Sequence, residues 1–373
     1  MRIGFDAKRA FNNQSGLGNY SRNLLSSLAL TFPGYSYFLY TPSLSNRLFS
    51  YQDHNFAIRK PEKSLHKAFP WWWRSFRLSA ELSKDKLDVY HGLSHELPPG
   101  IKKTGIKTVV TIHDLIFIRY PELYSPVDRI IYNRKFRYAC IKADKIIAVS
   151  NQTADDIIRY YHIDPSKIEV IYQACNPLFM KSVDEETKLQ IRHKYKLPDN
   201  YILHVGNIEE RKNALMLIKA VHIAKIDRPL VIIGRKTKYF KQIQQYIDDQ
   251  QLKNILFLDT IKNEELPSFY RMADLFIYPS LFEGFGIPII ESLFSGTPVI
   301  TSRGGCFPEA GGSGTIYIDP HNVEELSDSI KKVLSDSVLR NRMIESGYRH
   351  AAKFTPEKAA EKVVRVYESL FSS

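Results

Sequence analysis

Two carboxylates, two adjacent cations and a run of glycines carry the chemistry open to this sequence. Glu283 and Glu291 stand seven residues apart in the count of those between them, in Glu283-Gly284-Phe285-Gly286-Ile287-Pro288-Ile289-Ile290-Glu291. Such a pair can serve as acid and base in glycoside hydrolysis, or as ionised acceptors that hold the hydroxyls of a polar ligand. Arg211 and Lys212 come just before an apolar helical pattern. A planar guanidinium beside a mobile ammonium can clamp a diphosphate. Gly284 and Gly286 expose backbone N–H groups ahead of a helix, where the helix dipole favours a phosphate or other electron-rich group. His113 stands directly after the apolar run Lys107–Ile112, at the strand end where ligands of open α/β sheets bind.

These residues need elements to position them. Asp274-Leu275-Phe276-Ile277-Tyr278 reads as a buried strand, the two glycines turn the chain, Pro288 opens a helix, and Gly296 and Pro298 close it. On that helix Glu291 lies about 40° from Ile287 and next to the apolar pair Ile290 and Phe294. An acid there is costly unless something donates hydrogen bonds to it, and the hydroxyls of a sugar would do so. The plain alternative is a helix N-terminus with a surface acid.

Beyond the two acids, Pro279-Ser280, Glu283 to Pro288, Glu291-Ser292, Gly296 to Ile300 and Pro308-Glu309 occur in the order found in glycosyltransferase family 4, and the chain resembles that family. The resemblance implies an α/β chain of the GT-B fold, with two doubly wound Rossmann-like domains facing an interdomain cleft. It implies retaining, metal-independent transfer of a hexosyl group from a nucleotide diphosphate sugar to a hydroxyl of a glycan or lipid-linked acceptor. It assigns Arg211 and Lys212 to the donor diphosphate, Glu283 and His113 to the donor sugar, and Glu291 to the ribose hydroxyls. Gly16 and Gly18 match its glycine-rich loop near the donor, and Gly206 opens its Arg-Lys segment. Gly234 and the loop after Leu258 match its nucleoside loops, and Gly284, Phe285, Gly286 and Ile287 form its donor turn. Many members carry Arg after the glycine at 206, where this chain has Asn207, so the clamp has fewer charges. In the family the leaving phosphate takes the acceptor's proton on the same face. The surroundings of His113-Asp114 and Glu283 look like bacterial surface-polysaccharide mannosyltransferases, so mannose from GDP-mannose is the first reading. No cofactor and no metal are expected, and the sequence has no Asp-x-Asp. Rival readings are a nucleotide-sugar epimerase of the same architecture and a non-catalytic basic protein that binds membrane or nucleic acid.

The 373 residues exceed what one core usually serves. Domains are expected at 1–172 and 173–355, with a helix over 356–373 crossing back to the first. The opening strand Arg2–Asp6 leads to Gly16-Leu17-Gly18, but the third glycine of a dinucleotide turn is replaced by Ser21, which disfavours a nicotinamide cofactor. Fifty-two Lys and Arg against forty Asp and Glu leave +12, which calls for an anionic partner; without a nucleic-acid motif, no nucleic acid is expected. Trp71 to Arg77 mixes aromatics with arginine, a composition suited either to a membrane or lipid-linked acceptor or to a core helix. Arg303 is a further possible cation. No leader or spanning run is read, so a cytoplasmic protein is expected, with peripheral contact to an anionic inner membrane. Cys140, Cys175 and Cys306 are read as reduced thiols.

Overall fold

The computed structural model describes residues 1–44, 48–49, 56–61, 78–259 and 261–372. Trp71 to Arg77 lie outside them.

Short apolar runs become parallel strands buried on both faces, as the absence of polar alternation in them requires. The first sheet holds β1 (Arg2–Asp6), β2 (Ser36–Tyr40), β3 (Phe56–Arg59), β4 (Val89–Gly92), β5 (Lys107–Ile112), β6 (Lys145–Ala148) and β7 (Ile168–Val170), in the order β3-β2-β1-β4-β5-β6-β7. The second holds β8 (Ile202–Val205), β9 (Leu230–Ile233), β10 (Ile255–Leu258), β11 (Leu275–Tyr278), β12 (Val299–Ser302) and β13 (Ile316–Ile318), in the order β10-β9-β8-β11-β12-β13. In each sheet the strand order reverses once, beside β1 and beside β8. Such reversals leave the strand ends open to a ligand.

The chain divides into two compact units, Met1–Ala174 with Pro356–Ser373, and Cys175–Thr355. In the first unit the terminal helix Pro356–Ser369 buries Val363, Val364 and Tyr367 in one cluster with Phe5, Leu25 and Leu28. The Tyr367 hydroxyl lies 2.7 Å from Nδ1 of buried His91. In the second unit Ile202, Leu217, Ile232, Ile277 and Ile330 belong to the core.

Local signals act as their chemistry requires. Ser150 caps the helix Asn151–Tyr161, its hydroxyl accepting from the Thr153 N–H. Ser125 likewise caps the helix Pro126–Lys142, which therefore starts after Tyr124. Among the described residues no helix is long and apolar enough to cross a membrane.

Candidate functional site

In the second unit the loops after β8 and β11 meet, because those strands are neighbours. The Leu281 N–H donates to the Arg211 carbonyl at 2.8 Å, and Arg211 Nη1 donates to the Phe282 carbonyl at 2.6 Å. Asn213, at φ +59°, donates its side-chain amide to the carbonyls of Pro279 (3.2 Å) and Pro320 (2.7 Å). From β12, Thr301 and Ser302 donate to the carbonyls of Tyr278 and Ser280, each at 2.6 Å. The turn after β11 is thus held by the loop after β8 and by β12. Gly286 takes φ +104° at the N-cap of the helix Ile287–Phe294, a conformation that L side chains rarely adopt. Phe285 is buried and Gly284 and Ile287 are partly so.

This frame aims three donors at one carboxylate oxygen. Glu283 Oε1 lies 2.6 Å from Lys212 Nζ, 2.7 Å from Arg211 Nη1 and 2.9 Å from the Tyr278 hydroxyl. Lys212 Nζ also donates to that hydroxyl. Burial pushes the Glu283 carboxyl up, but the charges of Arg211 and Lys212 and their hydrogen bonds outweigh it and hold the group at about 2. Burial would lower Arg211, yet Glu283 raises it above the usual arginine value. Lys212 is held below the usual lysine value by burial, against the pull of Glu283. Beneath the cluster, His204 stacks on Tyr278 with ring centroids 6.0 Å apart. Its Nδ1 donates to the Ile277 carbonyl at 2.9 Å, so Nε2 is an acceptor, and it has no hydrogen-bond partner among the described residues. Burial lowers this histidine to about 4.

Glu291 sits on the helix after the turn and accepts from the Tyr270 hydroxyl at 3.0 Å. Burial raises its carboxyl to about 7, with the Tyr270 hydrogen bond acting in the opposite direction. The donor that sequence reasoning sought in a ligand is here a tyrosine of the helix Leu266–Met272. Gly206 and Gly234 follow β8 and β9, and their N–H groups donate to Ile233 and Leu258 carbonyls at 2.8 Å each. Arg303 pairs with Glu325.

In the first unit His113 is buried at the end of β5. Its Nε2 lies 2.9 Å from the Leu93 carbonyl and must donate to it, which leaves Nδ1 to accept from Gln173 Nε2 at 2.9 Å. The Tyr20 ring stands edge-on at 4.6 Å. Burial lowers His113 to about 4, so it is a neutral imidazole with a defined tautomer at neutral pH. Gly16 and Gly18 form the first turn of the helix Gly16–Thr31. A Cβ on Gly18 would fall 1.9 Å from the Asn13 carbonyl oxygen, so close backbone approach demands glycine there, whereas Gly16 has open space around it.

The sequence pattern singled out Arg211, Lys212, Glu283 and Glu291 but missed Tyr270, Tyr278, Asn213, His204 and Gln173. Tyr278 offered a signal, since a tyrosine ending a buried strand needs a partner for its hydroxyl. The others offered none.

Residues 184–350 match the family described as glycosyl transferases group 1, and residues 14–177 match glycosyltransferase family 4. The O-antigen chain mannosyltransferase B of Escherichia coli is 28% identical over 389 residues, spanning 99% of this chain and 100% of that protein. The O-antigen chain mannosyltransferase RfbU of Salmonella typhimurium is 29% identical over 272 residues, spanning 72% of this chain and 71% of that one. Among solved structures, a glycosyltransferase from Rickettsia africae superposes with a TM-score of 0.78 at 17% identity, covering 100% of this chain and 99% of that one. Anabaena HepE in complex with UDP gives 0.76 at 17% identity, covering 99% and 100%. With both halves matched in this way and two parallel sheets of the expected kind, the chain has the GT-B fold and is similar in each half to glycosyltransferases, those of family 4 among them.

Proposed function

We propose that the protein moves mannose from GDP-mannose to a hydroxyl of a glycan or lipid-linked acceptor, with retention of anomeric configuration and without a metal ion. The observation that carries this reading is the convergence of Arg211 and Lys212 on Glu283 at the mouth of a strand, glycine turn and helix. Arg211 and Lys212 share buried Glu283, while the second acid in reach, Glu209, lies 3.7 Å from Arg211 Nη2 and is the more exposed, so two fixed cations stand ready to face an anionic ligand. As the bond from the sugar carbon to the phosphate oxygen breaks, charge gathers on the diphosphate, and cations already fixed in place stabilise it. The bond to the acceptor oxygen forms on the same face, and the acceptor's proton passes to the departing phosphate.

The acids fit binding better than hydrolysis. Glu283, held at about 2, stays ionised at neutral pH and has no proton to give a leaving group. It can accept from sugar hydroxyls and face the positive charge that develops on the ring. Glu291 serves the ribose hydroxyls, and neutral His113 serves the donor sugar. The mannosyltransferase relatives support mannose as the sugar. A cytoplasmic location with peripheral contact to an anionic membrane completes the reading.

The test is transfer from GDP-mannose to a synthetic lipid-linked glycan in excess chelator, with the product's anomeric proton read by NMR. Retention with undiminished rate is expected. An inverted product, or activity that only a divalent ion restores, overturns the proposal.

A further inference from the structure

The helix Pro126–Lys142 carries apolar residues on two opposite faces. Phe136, Ala139 and Cys140 face inward and belong to the first unit's core. On the other side Val127, Ile130, Ile131, Arg134 and Ile141 follow at i, i+3, i+4, i+7 and i+14, while Tyr138 is partly buried against the core. At about 100° per residue those positions fall on one stripe. It is open: Val127 is 65% exposed, Ile130 56%, Ile131 43% and Ile141 44%. Large apolar side chains gathered on one exposed stripe mark an interaction surface, unlike the same residues scattered singly.

The charge on this helix selects the partner. It carries five basic residues, Arg129, Arg134, Lys135, Arg137 and Lys142, against one acid, Asp128. Lys135 pairs with Glu96 at 3.2 Å. Arg134 lies in the stripe and Arg137 and Lys142 flank it; all three are exposed, and none has an acidic partner among the described residues. A second copy of the chain docked through the same stripe would set these cations against their own kind, with Arg134 in the middle of the contact. An anionic bilayer surface meets both demands at once. Its headgroups pair with the cations, while the isoleucines and valine enter the boundary between headgroups and acyl chains. The geometry points to the stripe from Val127 to Ile141 as the surface by which this protein lies on an anionic phospholipid membrane. This inference names the place for the membrane contact in the functional reading above and rests on that contact alone, not on the donor.

The test is co-sedimentation of the full chain with vesicles of phosphatidylcholine alone or mixed with phosphatidylglycerol. The unaltered protein is expected to bind the anionic vesicles, less so as salt rises, and to ignore the neutral ones. Replacing Ile130 and Ile131 together by Glu removes two inserting groups and adds two like charges, so binding should weaken more than about tenfold. The melting temperature should hold, because both side chains are exposed. A second measurement avoids added charge: Ile130→Cys labelled with an environment-sensitive dye should shift its emission to the blue on anionic vesicles, and Cys140, Cys175 and Cys306 are buried away from the label. Equal vesicle binding by the double variant, or a dye that does not respond, overturns this surface while leaving the membrane contact standing. If the unaltered protein binds no vesicles, both fall. A lipid-free oligomer that the double variant disrupts also overturns the inference and makes the stripe a contact between copies. Stabilisation by GDP, measured on the same samples, reports the donor reading separately.

Discussion

Replacing Glu291 by glutamine should raise stability at alkaline pH and leave it little changed at acid pH. The folded carboxyl ionises at about 7 against an ordinary value of 4.5. Below 4.5 the group is protonated in both folded and unfolded chains, and the full stability is present. As pH rises, the unfolded chain loses this proton first, so stability falls until about pH 7 and then levels off. The gap between 4.5 and about 7 amounts to about 3 kcal/mol at about 1.4 kcal/mol per tenfold change in acidity. Between pH 5 and pH 8 the wild-type chain should lose about 2–3 kcal/mol that the Glu291→Gln chain keeps. Glutamine retains an oxygen to accept from Tyr270, so the packing is preserved. For a unit of this size the melting temperatures should separate by roughly 5–10 °C at pH 8. The assay is urea or thermal unfolding of both proteins at several pH values; other titrating groups cancel in the difference. A difference that is constant with pH, or that grows toward acid, would refute the buried, partly starved carboxyl. A ligand that donates hydroxyls to this group favours its ionised form. GDP binding near pH 7 should therefore release a proton, seen as a calorimetric enthalpy that changes with the buffer's own heat of ionisation.

Other outcomes follow from the same geometry. Arg211→Ala and Lys212→Ala should each weaken GDP binding by about 1.5–3 kcal/mol while sparing guanosine; equal losses for the two ligands would remove the diphosphate clamp. Tyr278→Phe deletes one of the donors to Glu283 and should destabilise the protein by about 1–2 kcal/mol, with an unchanged urea midpoint counting against the cluster. His113 is lowered to about 4, so its contribution to stability is present above its ordinary value and is lost as pH falls through the folded one. Nitrogen NMR at pH 6 should show a neutral ring with the proton on Nε2, and an imidazolium signal there would contradict the arrangement with Leu93 and Gln173.

What the sequence determined by itself was everything that neighbours along the chain control. The run from Leu275 to Ile290 shows its strand, its turn and its helix start, because a buried apolar run, Gly286 and Pro288 each act within a few residues. The caps at Ser150 and Ser125 are local for the same reason. The helix Pro126–Lys142 shows as long and basic, but no single apolar face emerges, because its apolar positions are shared between two opposite sides. Only packing decides which of them Phe136 and Cys140 occupy, and so which stripe is left outside. The site was legible as a set of residue types and not as a set of bonds. Glu283 finds Arg211 and Lys212 because β11 lies beside β8, an order that no local pattern encodes. Glu291 finds Tyr270, and Asn213 finds Pro279, in the same way. Hydrogen-bond partners and burial are set by which elements stack, and they in turn set how each acid titrates. The low value of Glu283 and the high value of Glu291 therefore belong to the tertiary structure, although the two residues share one short motif.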